Sequence, residues 1–222
     1  MTGRASKLRK GIAIGAGVAV AGLAGILYAP SVLAFPHRAQ IGQVTVYSVE
    51  PIGPEMTGIL ARADALTAAS PLAAPLGNRA IYLTEGGWRW TLLALPNYSG
   101  AFALTRPLSN NIVVNRSASA RDEVRNAAEI GNRRTLSGTI AHETTHLLID
   151  RHYGPIGARL LTSRTVEGYC DHVAQESSLS ASQAATLRQQ GSGAPALRYF
   201  EARQQVAQRL AAGASVDQAL RD

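Results

Sequence analysis

Residues 11 to 29, GIAIGAGVAVAGLAGILYA, carry no charged side chain, and beyond them apolar and polar residues alternate with periods that name the elements. At ~1.5 Å per residue an apolar helix of this length reaches across the ~30 Å hydrocarbon layer of a bilayer, so one N-terminal transmembrane helix is predicted. After Pro36, Gln43–Val49 (QVTVYSV) has the two-residue period of a strand, and Pro54–Ala69 has the spacing of a helix that begins at proline. Arg79–Thr84, Ala101–Thr105 and Asn111–Asn115 read as short strands separated by Gly, Pro, Asn and Ser turns. From Asp122 the periodicity turns helical: a short segment to Ile130, a strong helix from about Thr135 to Asp150, another around Thr165 to Ser178, and a polar amphipathic one from about Pro195 to Ala212. Strands first and helices after predict an α+β fold rather than βαβ alternation, with a small mixed or antiparallel sheet packed on the strong helix and a helical subdomain following it. Residues 1–35 then form a basic N-terminus and anchor, and residues 36–222 one domain.

Charge assigns a direction to the apolar run. Arg4, Lys7, Arg9 and Lys10 supply four of the net +7 charges and precede the run, whereas only Arg38 follows it closely and no acid occurs before Glu50. The positive-inside bias therefore keeps the N-terminus cytoplasmic and exports the rest. A cleaved signal peptide is the competing reading, because Val32-Leu33-Ala34 fits a small-x-small cleavage site, and it would make the domain a secreted one. The remaining Arg are spread singly from Arg38 to Arg221 rather than gathered on one element, which leaves nucleic acid outside the expected partners. Hydrophobic residues at 46% exclude a disordered chain, and the single cysteine, Cys170, excludes an intramolecular disulfide.

The chemistry gathers in the strong helix. His142-Glu143-Thr144-Thr145-His146 is an HExxH sequence among Leu136, Ile140, Leu147 and Leu148. Histidines four apart project from one helical face, so both imidazoles can reach one zinc ion, and Glu143 is placed to act on a zinc-activated water as general base. A catalytic zinc needs a third protein ligand. Glu167, in Glu167-Gly168-Tyr169-Cys170-Asp171, shares a helical face with Asp171, which suggests a ligand and a partner for the outer N–H of a ligating histidine. His152 is the rival, since His142, His146 and His152 carry the histidine spacing of HExxHxxGxxH. That motif turns sharply at a glycine where this chain has Ile149, and on a continuing helix His152 would be rotated by ~240° from His146. Asp171 and His172 are further candidates for the third position. Cys170 and the pair Trp88 and Trp90 read as packing residues, and the Arg198–Arg209 segment as a solvated helix.

HETTH, about twenty residues, then EGYCD resembles the gluzincin zinc peptidases, of which the thermolysin-like enzymes are best known. The resemblance covers His142 to Asp171 closely and the preceding strands loosely. It implies zinc on His142, His146 and Glu167, water activation by Glu143, and support of His142 by Asp171. It also implies an antiparallel edge strand beside the active-site helix to pair with the substrate backbone, for which Asn111–Arg116 is the expected segment. An oxyanion-stabilising His or Tyr is not marked by any motif; Tyr153, Tyr169, His172 and Tyr199 are available. The expectation is a membrane-tethered, extracytoplasmic zinc metallopeptidase acting on a peptide or protein substrate. Its alternatives are a non-catalytic envelope binding module on the same fold and a zinc hydrolase of a non-peptide amide or ester.

Overall fold

A computed structural model describes residues 15, 17–96 and 100–221. Residues 17–28 are helical (α1), and a short 3-10 turn, Pro30–Leu33, leads into the sheet. Among the described residues no helix is long and apolar enough to cross a membrane. The predicted span begins at residue 11, and its residues 11–14 and 16 lie outside the described ones.

Five strands form a mixed sheet: β1 (His37–Ile41), β2 (Val44–Ser48), β3 (Arg79–Leu83), β4 (Ala103–Thr105) and β5 (Asn111–Val114), in the order β1-β2-β3-β5-β4. The central pairs β2–β3 and β3–β5 are parallel, and the outer pairs β1–β2 and β4–β5 antiparallel. The parallel strands are covered on both faces, which is why Ile81-Tyr82-Leu83 and Ile112-Val113-Val114 are continuous apolar runs and all six residues are buried. Between the strands run α2 (Glu55–Ala68), after β2, and α3 (Gly87–Leu93), after β3. A second, three-stranded antiparallel sheet, β6 (Arg116–Ala118), β7 (Glu123–Arg125) and β8 (Arg133–Thr135), follows β5. The helix expected over Asp122–Ile130 is therefore strand and turn. Asp122 takes a positive φ of 47° there, and its carboxylate accepts from the Ser137 N–H and hydroxyl, so it caps the next helix instead of opening one.

That next helix, α4 (Leu136–Arg159), is the centre of the molecule. Leu136, Ile140 and Leu147 pack with Val46, Ile81 and Ile112 of the sheet and Met56, Ile59 and Leu60 of α2. Leu148 and Ile149 enter a second core with Tyr169, Cys170, Val206 and Leu220, from α5 (Ser163–Val173), α7 (Pro195–Ala211) and α8 (Val216–Arg221). Buried between two cores, α4 presents little polar surface, and its buried Thr139 and Thr145 return their hydroxyls to the carbonyls of Thr135 and Ala141. The helix breaks at Gly154 (φ 72°, ψ 163°), where Pro155 lacks the N–H needed to continue it. A further helix, α6 (Ala181–Gln189), packs on α7 through Leu187, Leu197 and Phe200.

The strand expected to be the free edge, Asn111–Arg116, is not one. Its β5 portion lies between β3 and β4, and the antiparallel edge strand on this side of the sheet is β4. The apolar character that made NIVV stand out reflects this interior position.

Candidate metal centre

The N-terminus of α4 is fixed by two acids. Asp122 accepts from Ser137, and Glu176 accepts from both the N–H (2.7 Å) and the hydroxyl (2.8 Å) of Thr135, whose own oxygen caps Gly138 N–H at 3.0 Å. Carboxylates at this end also complement the helix dipole. Two turns further in, His142 and His146 project from one face and their Nε2 atoms stand 3.3 Å apart.

α5 crosses α4 and brings Glu167 to the same point. Its Oε2 lies 3.3 Å from His142 Nε2 and its Oε1 3.5 Å from His146 Nε2. Asp171, one turn later on α5, has Oδ1 at 2.7 Å from His142 Nδ1 and at 2.7 Å from Arg134 Nη1. Arg134, on β8, is itself buried and also reaches toward Glu176 at 3.9 Å, so one guanidinium ties the cap of α4 to the carboxylate beneath His142. Nothing in the sequence spacing links Arg134 to Asp171, 37 residues on, and the strand carrying it is only three residues long.

The electrostatics follow from this packing. Burial alone would lower the His142 pKa, but the Asp171 and Glu167 carboxylates override it and push the imidazole up to about 10. Burial raises Glu167 and Asp171 as well, yet the net direction of both is down: the His146 charge is the largest opposing influence on Glu167, and Arg134 on Asp171. Glu143, buried, is held above the ordinary carboxylic range by desolvation, against the pull of His146 and His142. A carboxylate so raised binds and gives up a proton closer to neutral pH, which suits a general base.

The remaining candidates fall elsewhere. His152 is half exposed and meets Asp217 at 3.4 Å, together with Tyr153, on the far side of the helix end. Tyr169 is fully buried and shares a hydrogen bond with Ser70 at 2.7 Å. His172 is lowered by burial and by Arg203. Tyr199, on α7, has its pKa raised by burial and then by the charge of Glu167, against Arg198. Cys170 Sγ is within 4.8 Å of the imidazole nitrogens, but the residue is fully buried in the second core and burial holds its thiol well above its ordinary pKa. Trp90 is buried against the sheet as expected of a packing residue, whereas Trp88 is 59% exposed.

The donor set suits a zinc ion: two imidazole nitrogens and a carboxylate is a catalytic-type combination that leaves a position open. Ligands at ~2.0 to 2.1 Å in tetrahedral arrangement stand about 3.3 to 3.4 Å from one another. Comparison of the chain with protein-family models, with curated proteins and with solved structures gives no match.

Proposed function

We propose that the chain is a zinc-dependent peptidase of the gluzincin kind, tethered to a membrane by its N-terminal segment and working outside the cytoplasm. The observation that carries the reading is the spacing of His142, His146 and Glu167, whose donor atoms stand 3.3 to 3.5 Å apart at one point where two helices cross. His142, His146 and Glu167 would hold the ion, which when bound supplies Lewis-acid polarisation of the scissile carbonyl and acidifies water.

The chain's own groups do the rest. Glu143 takes the proton of the attacking water and returns it to the leaving amine, a role that its raised pKa supports. Asp171 accepts from His142 Nδ1–H and so fixes the tautomer that presents Nε2 to the ion, while Arg134 keeps Asp171 ionised. The substrate backbone would add to the free side of β4. Asn115 N–H donates to Phe102 O at 2.8 Å on the paired side, so by the alternation of an antiparallel ladder Ala103 and Thr105 turn their backbone groups outward. Phe102, at the start of this edge, lies 5.9 Å from the Arg134 guanidinium that holds Asp171, which supports this reading. The cytoplasmic placement of the N-terminus rests on the basic residues before the apolar run.

The test is Glu143→Gln in the purified full chain. Zinc stoichiometry by elemental analysis should remain that of the parent, while hydrolysis of a responsive peptide falls by about 10² to 10⁴-fold. Full activity in this variant would overturn the mechanism. Zinc binding without hydrolysis of any peptide by the parent would favour a binding module.

A further inference from the structure

The face of the sheet opposite α4 is unlike the rest of the surface. Tyr47, Tyr82, Leu104 and Val113 point to it and are covered by α3 and by the stretch running from α1 into β1. That stretch is bonded down along its length: Asn111 Nδ2 donates to Tyr28 O at 2.9 Å, and Arg89 donates to Leu33 O at 3.2 Å and Ala34 O at 3.1 Å. Ile26 and Leu27 of α1, with Leu33 and Phe35, pack against the same cluster. The C-terminal end of α1 is thus seated on this face, while its described residues from 17 to 25 are exposed.

The cover is itself apolar on its outer side. Tyr28, Val32, Trp88 and Leu95 are exposed. The charges around them have one sign. The described stretches that build this face, 26–47, 86–96 and 100–106, contain no Asp or Glu, and they hold Arg38, Arg89 and Arg106. Arg89 lies 4.6 Å from the Trp88 ring and Arg38 5.7 Å from the Tyr47 ring, so the cations are held among the aromatics. Glu50 and Glu85, just beyond the ends of β2 and β3, lie beside each other, and burial followed by the Glu50 charge raises Glu85. Exposed Trp, Tyr and Leu interleaved with Arg, without acids, are what a bilayer interface with anionic headgroups selects.

We propose that this face is a lipid-docking surface: Trp88, Val32, Leu95 and the root of α1 lie in the headgroup region, with Arg38, Arg89 and Arg106 on anionic lipid. The inference rests on the membrane-tethered reading above and goes beyond it, because it fixes an orientation. Since α4 packs on the other side of the sheet, the sheet stands between the lipid and His142, His146 and Glu167. The substrate class this selects is a polypeptide segment in the aqueous phase next to the membrane, and not a bond within the bilayer.

The test uses the full chain reconstituted in vesicles of phosphatidylcholine and phosphatidylglycerol at roughly 3:1. Flotation is measured first, then tryptophan emission with acyl-brominated lipid or with aqueous acrylamide as quencher. Subtracting the Trp88→Phe spectrum isolates Trp88, because the other tryptophan, Trp90, is buried in the protein. Brominated lipid should remove about half or more of the Trp88 emission, as expected of an indole at the interface, while acrylamide removes little. A chain that floats but whose Trp88 is quenched by acrylamide and untouched by brominated lipid overturns the docking surface alone. A chain that does not float overturns the tether reading and this inference together.

Discussion

Asp171 is held from both sides, by His142 Nδ1 and by Arg134 Nη1, each at 2.7 Å, and this relay explains why one residue position was readable and its neighbour was not. Four-residue separations on a helix become shared faces by geometry alone, so the histidine pair and the Glu167–Asp171 pair could be read from spacing. Arg134 and Phe102 act across elements, where separation in sequence carries no geometric information. The exclusion of His152 was legible too, since the rotation that turns it from His146 is a property of any continuing helix. The expected outcome follows from these positions. Glu167→Ala should lose most zinc affinity, because two imidazoles leave the ion short of the usual three protein ligands. Asp171→Asn should weaken it by ~10 to 100-fold. His152→Ala, which touches Asp217 instead, and Cys170→Ala should leave it near that of the parent. Competition titration against a chromogenic chelator measures all four, and equal losses for His152→Ala and Glu167→Ala would defeat the assignment.

Glu167 and Asp171 reach their positions only because α5 can lie close on α7. Gly168 makes this approach: a Cβ there would sit 2.6 Å from the backbone carbon and oxygen of Ala202. Gly168→Ala should therefore push α5 outward, costing about 1 to 3 kcal/mol as overpacking does and lowering zinc affinity through the two flanking carboxylates. Gly193→Ala, where an added Cβ meets nothing within 4 Å, is the neutral control. Urea midpoints and zinc titration read both effects, and a Gly168→Ala chain that matches the parent in each would show that the close packing does not position the site. Legibility among the elements had a similar limit. The strands β2 to β5 and helices α2, α4, α5 and α7 had periods long enough to recognise. The strands β6, β7 and β8 (RSA, EVR and RRT) carry at most one apolar residue each, so no apolar alternation marks them. α6 lacked an apolar stripe, but its start was written as a capping box, Ser180 with Gln183, a signal that periodicity does not use.

The two cores meet at α4, so the charge state of the cluster on that helix bears on the stability of the whole chain. In protein stripped of metal, His142 has a folded pKa of about 10 against an ordinary 6.5. A raised imidazole pKa contributes stability that is fully present below 6.5 and is lost as pH rises through about 10. Glu167 and Asp171 are lowered from 4.5 and 3.8, so their contribution is present above those values and is lost as pH falls through the depressed folded pKa values. These groups together favour the stripped protein most between about pH 4.5 and 6.5. On the proposed reading zinc would reverse the upper limb. Its ligands must be unprotonated, so the ion would displace the His142 proton and bind more strongly as pH rises. An ion that binds the folded chain in preference to the unfolded one stabilises it, so the gain in melting temperature on adding zinc should grow between roughly pH 6 and roughly pH 8.5. Over the same interval the chelated protein should lose stability. Differential scanning calorimetry on both forms separates the two trends, and Asp171→Asn, which removes the main partner holding the His142 proton, should flatten the decline of the chelated form. Parallel profiles with and without zinc would mean that the ion does not bind at His142.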